Sequence, residues 1–359
     1  MNGNGGLINT DAIILSSASV VGKKEHDGPL GDKFDFHSED DKFGCNTWEH
    51  AEAEMQRIAL SSALGKAKLE EKDLDALFAG DLLNQCVSSA NGLLSYDVPF
   101  FGLYGACSTI AEGLILASSL VSHNVFDTAA AVTSSHNSAA ERQFRTPLEY
   151  GGQRPPTGQW TVTGSGAFVI ASRDYAMAQK AIGKPSGVAR VSCTMPGIVV
   201  ERGISDASNM GAAMAPAAES TLLRFFEASK TTPGDYDLIV TGDLGWEGGR
   251  ILCELMSADG IELGDRYNDC GMMMFSRTSQ DTHSGGSGCA CSATVLSAYL
   301  LPRLTSGDIE RMLILGTGAL MSPDSVKQGA PIAGVAHLVC IERMETDSHI
   351  DKMKGHGVL

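Results

Sequence analysis

The sequence predicts an α/β protein built from two similar halves. Gly105-Ala106-Cys107-Ser108-Thr109 stands before a helix-like apolar stretch, and a related run, Gly288–Ala293, recurs in the second half. Two further pairs of segments repeat in the same order: residues 74–82 with 236–244, and 164–170 with 334–340. The chain is 43% hydrophobic and contains 41 Gly, a composition typical of compact α/β proteins.

The first half begins with a short apolar run, Ala12–Leu15, which predicts a strand. Residues 23–41 are polar and acidic, have no hydrophobic period, and contain turn residues at 28–31, so we expect a long surface loop. The hydrophobic period of residues 48–64 then predicts a helix.

Two more strands frame the segment that contains Cys107. Residues 76–79 predict a strand that runs into Gly80-Asp81, and residues 128–132 predict a second one after the helix at 110–121. The polar run Thr133–Asn137 follows directly, at a strand end, where open α/β sheets build their sites.

Three features predict the domain organisation. The polar residues 141–161, rich in Gly, Pro and Arg, form an excursion before the strand at 167–170 and serve as a lid or a dimer arm. Turn-forming residues near 174–188 divide the chain into halves 1–180 and 181–343. Residues 344–359 are polar and predict a frayed tail.

Charge and cysteine content exclude several classes of function. A net charge of −16 with scattered Lys and Arg argues against nucleic-acid binding and against adhesion to anionic lipid. The chain has no apolar run of membrane-spanning length and no signal-peptide pattern, so we expect synthesis in the cytoplasm. Nine cysteines without metal-ligand spacing indicate reduced thiols and no metal site.

The local motif leaves two interpretations of Cys107 open. A Cys at a helix N-terminus has its thiolate stabilised by the macrodipole and by free N–H groups, as a nucleophile requires. Equally, it can be a structural thiol buried at a tight turn. The glycine-rich turn that ends at Gly288 offers N–H groups to an anion, but it lacks the Lys and the spacing of a phosphate loop.

Polar residues after the predicted strands are further site candidates. Ser135 and His136 form a polar cluster that we assign to a pocket. Asp81, Asn84 and Gln85 follow another strand and present a carboxylate and amides, although Asp81 alone is equally well explained as a helix cap.

With Gly105–Thr109 before a helix and Thr163–Ala167 before a strand, the chain resembles the thiolase superfamily, especially its initiating ketoacyl-acyl-carrier-protein synthases, over about residues 7–343. Five segments resemble a sporulation branch of that superfamily more closely: residues 28–31, 80–85, 134–137, 140–145 and 214–218. The resemblance implies a five-layer fold, usually a homodimer, with the pocket between the two halves.

The sporulation branch implies a function as well. Its members bind dipicolinic acid and act with sister membrane proteins of the same sporulation stage in moving dipicolinate, with calcium, into the developing spore. We therefore expect a non-catalytic binding protein without a cofactor, held at the spore inner membrane through its partners.

Departures from the synthases support that expectation. Where those enzymes carry a catalytic His after a strand of the second half, this chain has Thr241-Gly242-Asp243, and their catalytic Asn is missing from residues 286–289. Loss of two donors removes the main stabilisation of the enolate, worth about a few kcal/mol per donor. His283 is one residue out of register with the His of degradative thiolases and is assigned to a loop.

The predicted ligand site combines these candidates. Cys107 is a vestigial nucleophile in the pocket wall. The other predicted members are Ser135, His136, Asn84, Gln85 and Gly288, with Arg142 as a charge partner. Asp81 and Asp243 repel a free dianion, unless one of them meets the calcium of the chelate. The alternatives are an acyl-condensing enzyme acylated at Cys107 and a scaffold for membrane partners.

Overall fold

The structure is a computed structural model that describes residues 6–144, 154–179 and 187–344. The strands are β1 Ile8–Val21, β2 Phe36–His37, β3 Ala76–Gly80, β4 Phe100–Gly102, β5 Thr128–Ser135, β6 Trp160–Thr161, β7 Gly164–Ser172, β8 Val188–Met195, β9 Leu238–Thr241, β10 Tyr267–Asp269, β11 Gly286–Ser287, β12 Arg311–Leu320 and β13 Ala333–Met344. The helices are α1 Lys23–His26, α2 Trp48–Ala67, α3 Val87–Gly92, α4 Thr109–Ser122, α5 Asn137–Phe144, α6 Arg173–Ala178, α7 Met210–Ser229, α8 Gly245–Ala258, α9 Cys270–Met274, α10 Cys289–Val295, α11 Leu301–Ser306 and α12 Pro323–Lys327. A π-helical turn, Leu296–Leu300, joins α10 to α11.

The sheet repeats one strand pattern in each half. The strand order is β10-β9-β12-β13-β8-β1-β7-β5-β3-β4, with β2 beside β1. Counted outward from β8 and outward from β1, the strands of the two halves follow one another in the same relative chain order. In both directions the first two pairings are antiparallel and the remaining two are parallel. The predicted α/β fold of two similar halves is therefore confirmed.

Helices cover and separate the two half-sheets. α4 packs in the centre, where Leu114 shares one apolar cluster with Phe168 of β7 and Ile314 of β12. α2 covers the outer face of the first half, and α7 covers that of the second half. These clusters give the five predicted layers: helix, half-sheet, helix, half-sheet, helix.

Several local predictions differ from the structure in informative ways. The predicted loop at 23–41 contains α1 and β2, and Glu25 within it is only 1% exposed because its Oε1 accepts a hydrogen bond from the Thr163 N–H (3.0 Å). The strand predicted to end at 132 continues to Ser135, so part of the polar run lies inside the sheet.

Parts of three predicted segments lie outside the described residues: 145–153 of the excursion, 180–186 of the division between halves, and the tail from 345. Within the described ranges, the helices include none with the length and apolarity needed to cross a membrane.

Candidate functional site

A pocket with about 600 Å³ of empty space, part of it open to solvent, lies where the two halves meet. Its described lining consists of Leu82, Tyr104, Ala106, Cys107, Ala140, Glu141, Phe144 and Thr161 from the first half, and Ala207, Met210, Ser287, Gly288, Ala319, Met321 and Val326 from the second. Most of these side chains are apolar, which suits a small organic ligand more than a hydrated ion.

A tight turn places Cys107 in this pocket. After β4 the chain enters a single 3₁₀ turn, Ala106–Ser108, and Ala106 adopts a left-handed conformation (φ 51°), which costs energy in a residue with a Cβ. The turn is held by its backbone, because the Ala106 carbonyl accepts hydrogen bonds from the Thr109 hydroxyl (2.6 Å) and the Cys289 thiol (3.0 Å). Cys107 itself is 6% exposed.

Asp243, directly after β9, lies against Cys107. Its Oδ1 accepts a hydrogen bond from the Thr317 hydroxyl (2.7 Å) and its Oδ2 accepts one from the Gly288 N–H (3.0 Å). The Cys107 thiol also interacts with the same carboxylate. Elements of both halves therefore converge on one buried acid.

The surroundings of Cys107 oppose a thiolate. Burial raises the pKa of the Cys107 thiol well above its usual value, and the negative charge of Asp243 raises it further. Burial also raises the pKa of Asp243, to about 7, against the effect of its hydrogen bonds from Cys107, Thr317 and Gly288. Of the two interpretations of Cys107, these surroundings favour the structural thiol.

Gly288 is fixed by the close approach of the first half. It has a φ of 98°, and a Cβ at this position would stand 2.7 Å from the Ser135 Oγ and 3.1 Å from the Thr161 Cγ2. Its N–H is already directed at Asp243. Gly288 thus lines the pocket as predicted, but its N–H is used within the protein.

The structure places Ser135 and His136 behind the described pocket lining rather than in it. Ser135 donates to the Val162 carbonyl (2.7 Å) and accepts from the Ala290 N–H (3.1 Å). His136 is fully buried; its Nε2 lies 2.7 Å from the Asp41 carbonyl, and its Nδ1 accepts from a backbone N–H. Burial lowers the pKa of His136, so this neutral imidazole is a support of the fold.

Asp81 caps the loop that follows β3. Its Oδ1 accepts from the Leu83 N–H (2.9 Å), and its Oδ2 accepts from the Ser89 N–H (2.8 Å) and hydroxyl (2.6 Å). Asp81 is thus hydrogen-bonded to its own loop and to the first turn of α3, although the N-cap residue of α3 is Cys86. Asn84 and Gln85 are exposed and are not among the described lining residues.

Arg142 and His283 also lie outside the described lining. Arg142 forms an ion pair with Glu49, and its guanidinium carbon lies 5.3 Å from the centre of the Trp48 ring, in a neighbouring groove. His283 lies in a loop, as expected, with its Nε2 2.9 Å from a carboxylate oxygen of Asp281.

Most of the pocket-lining residues of the second half were not predicted from the sequence. Ala319 and Met321 lie at the end of β12, which is the counterpart of β5 in the repeat, and Met210 begins α7. The internal repeat could have identified the residues at the end of β12, because it predicts that the ends of β12 and β5 occupy equivalent places.

The charge of the pocket is relevant to any ligand. The described lining contains the carboxylate Glu141 and no Lys or Arg, and Asp243 lies just below it. Across the described residues there is no group of three or more His, Cys, Asp or Glu side chains placed to hold a metal ion.

Comparisons with known proteins agree with this fold. A family model described as "Stage V sporulation protein AD" matches residues 5–342. The protein of that name from Bacillus subtilis is 42% identical over 332 residues, covering 92% of this chain and 94% of the relative.

Solved structures of similar fold are condensing enzymes of the thiolase type. OleA of Xanthomonas campestris, solved with cerulenin, has a TM-score of 0.58 at 15% identity, covering 94% of this chain and 99% of the other. The 3-oxoacyl-[acyl-carrier-protein] synthase III of Aquifex aeolicus has a TM-score of 0.53 at 13% identity, covering 91% and 99%. At these identities the likeness establishes the fold alone.

Proposed function

Because the chain belongs to the stage V sporulation protein AD family, we propose that it is a non-catalytic binding protein for dipicolinic acid that takes part in dipicolinate uptake into the developing spore. In this proposal the ligand occupies the pocket at Cys107, and the protein works as a homodimer at the spore inner membrane with other stage V sporulation A membrane proteins.

The observation that carries the non-catalytic role is the contact of Asp243 with Cys107. A condensing enzyme must keep a nucleophilic thiolate and stabilise an oxyanion. Here the Asp243 carboxylate raises the pKa of the Cys107 thiol and also accepts the hydrogen bond of the Gly288 N–H. The group that faces Cys107 therefore repels both the thiolate and any developing oxyanion.

The lining favours the calcium chelate over the free dianion. Dipicolinate carries two carboxylates on a flat ring, and Glu141 and Asp243 both disfavour added negative charge. Calcium held by the ligand cancels that charge before entry. A carboxylate of the protein can add to the calcium shell only by giving up a hydrogen bond, and Asp243 is the candidate because it adjoins the pocket.

Calorimetric titration tests the proposal. We expect dipicolinate to bind saturably, with higher affinity when calcium is present. Ala207 lies at the pocket, whereas Ser205 is exposed nearby and is not among the described lining residues. Ala207→Trp should fill the pocket and lower affinity at least about tenfold, which is about 1.4 kcal/mol. Ser205→Trp adds the same bulk outside and should bind as the unmodified chain does.

An acyl-condensing enzyme is the second candidate, favoured by the position of Cys107 at a pocket between the halves. Incubation with acyl-CoA, followed by mass spectrometry of the peptide that contains Cys107, separates the two functions. An acyl adduct on Cys107 supports the enzyme. Heat of dipicolinate binding without an adduct supports the binding protein. If neither signal is seen, a scaffold for membrane partners is the remaining function.

A further inference from the structure

Two cysteines of the second half lie directly opposite each other on neighbouring strands. Cys193 of β8 and Cys340 of β13 are register partners in an antiparallel pair. Both are free thiols, 8% and 0% exposed, and both belong to the apolar cluster between the half-sheet and α7.

The register suits a disulfide. Residues directly opposite in an antiparallel pair have Cα atoms about 4.5–5.5 Å apart and point to the same face of the sheet. Disulfides join Cα atoms about 4.4–6.8 Å apart, so the strand spacing is compatible with closure, which also requires the Cβ atoms to come within about 3.5–4.5 Å. The two thiols already interact with each other, and the Cys340 Sγ lies 3.9 Å from the Glu342 Oε1.

The surroundings make the two thiols unequal. The Arg311 guanidinium interacts with Cys340, and its Nε is 2.8 Å from a carboxylate oxygen of Glu342. The contact with Cys193 lowers the pKa of Cys340 and Arg311 adds to this effect, while burial and the Glu342 carboxylate oppose it. The same contact raises the pKa of Cys193. An attacking thiol of low pKa beside a resolving thiol is the arrangement of redox-sensitive cysteine pairs.

We propose that Cys193 and Cys340 form a peroxide-sensitive dithiol that closes a cross-strand disulfide. The Cys340 thiolate attacks one oxygen of hydrogen peroxide, the O–O bond breaks and a sulfenic acid forms. The hydroxide that leaves takes up the proton lost by the Cys340 thiol and becomes water. The Cys193 thiol then attacks the sulfenic sulfur, the S–S bond forms, and the second water leaves. One peroxide is reduced to two waters as two thiols are oxidised to one disulfide. The bond joins the first strand of the second half to its last.

Peptide mapping of the unmodified protein tests this inference without any substitution. Trypsin releases residues 191–202 and 328–343, and each peptide contains one cysteine. After treatment with hydrogen peroxide and blocking of free thiols, we expect these two peptides to be linked, with loss of two hydrogen atoms, and to separate again on reduction. The oxidised protein should also melt at a higher temperature, because the bond restricts the unfolded chain.

Cys45 and Cys253 are partly exposed and report whether the oxidant has acted. If they are oxidised while the peptides 191–202 and 328–343 stay unlinked, the inference is overturned. The order of steps has its own test with a sulfenic-acid probe. Cys193→Ser should accumulate sulfenic acid at Cys340, whereas Cys340→Ser should accumulate little at Cys193. Equal labelling of both variants contradicts the assigned roles.

Discussion

The Asp243 carboxylate lies beside the Cys107 thiol and raises its pKa. The thiol comes from the turn before α4 and the acid from the end of β9, so the contact joins the two halves of the protein. A negative charge beside a buried thiol favours its protonated form.

Thiol reactivity tests this relationship. In Asp243→Asn the side-chain oxygen can still accept from Gly288 and the amide can donate to the Thr317 hydroxyl, so the fold is kept while the charge is lost. We expect iodoacetamide to alkylate Cys107 about tenfold faster in this variant, since one pKa unit changes the thiolate fraction about tenfold. Thr317→Val keeps the charge and should not accelerate alkylation; equal rates in all three proteins contradict the account.

The same substitution should change ligand preference. Asp243→Asn removes negative charge beneath the pocket, so free dipicolinate should bind more tightly, by about threefold to tenfold, at an effective dielectric typical of such sites. Binding of the calcium chelate should change less because its net charge is lower. Titrations with and without calcium measure both effects, and a larger gain for the chelate than for the free dianion counts against the charge argument.

Buried Glu25 predicts a dependence of stability on pH. Burial raises its pKa from 4.5 to about 8, so the folded state holds a proton that the unfolded state has released over this range. The contribution of Glu25 to stability is present below pH 4.5 and is lost as pH rises towards 8, at up to about 1.4 kcal/mol per pH unit. Denaturant unfolding of Glu25→Gln should show a shallower fall between pH 5.5 and 7.5, and an unchanged slope contradicts the assignment.

The first half approaches Gly288 so closely that a side chain at this position should lower the stability of the protein. A second glycine serves as the comparison. Gly329 also has a positive φ (66°), but a Cβ there meets nothing within 4 Å. Gly329→Ala should therefore lose only the conformational term, about 1–2 kcal/mol. Gly288→Ala should lose a further amount of about 1–3 kcal/mol from overpacking against Ser135 and Thr161. Its backbone adds to this loss, because φ 98° and ψ 165° lie in a region that is essentially confined to glycine. Denaturant unfolding measures both, and equal losses contradict the packing described.

The sequence indicates the fold more fully than the site. Internal repetition and hydrophobic period predict both halves, and α2 and β5 lie where the pattern places them. Local polarity does not distinguish a residue that faces a ligand from one that pairs with the backbone. Ser135 and His136 satisfy their hydrogen bonds on Val162 and Asp41, which are distant in the chain, so only the three-dimensional arrangement shows their role.

Asp243 is a residue that the sequence singles out but whose contacts it does not predict. The sequence marks it as the residue that replaces a catalytic His, and the repeat makes it the counterpart of Asp81. Its contacts with Thr317 and Gly288 arise from two different segments of the second half and depend on how the strands pair. No local pattern gives this convergence.

Methyl NMR gives the most direct test that dipicolinate binds in the pocket at Cys107. Met210 and Met321 line the pocket, whereas Met177 is 51% exposed on α6 and is not among the described lining residues. With ¹³C-methyl-labelled methionine, addition of calcium dipicolinate should shift the Met210 and Met321 signals saturably through the ring current of the ligand and leave Met177 unchanged. Saturable binding with shifts confined to other methionines would contradict the account.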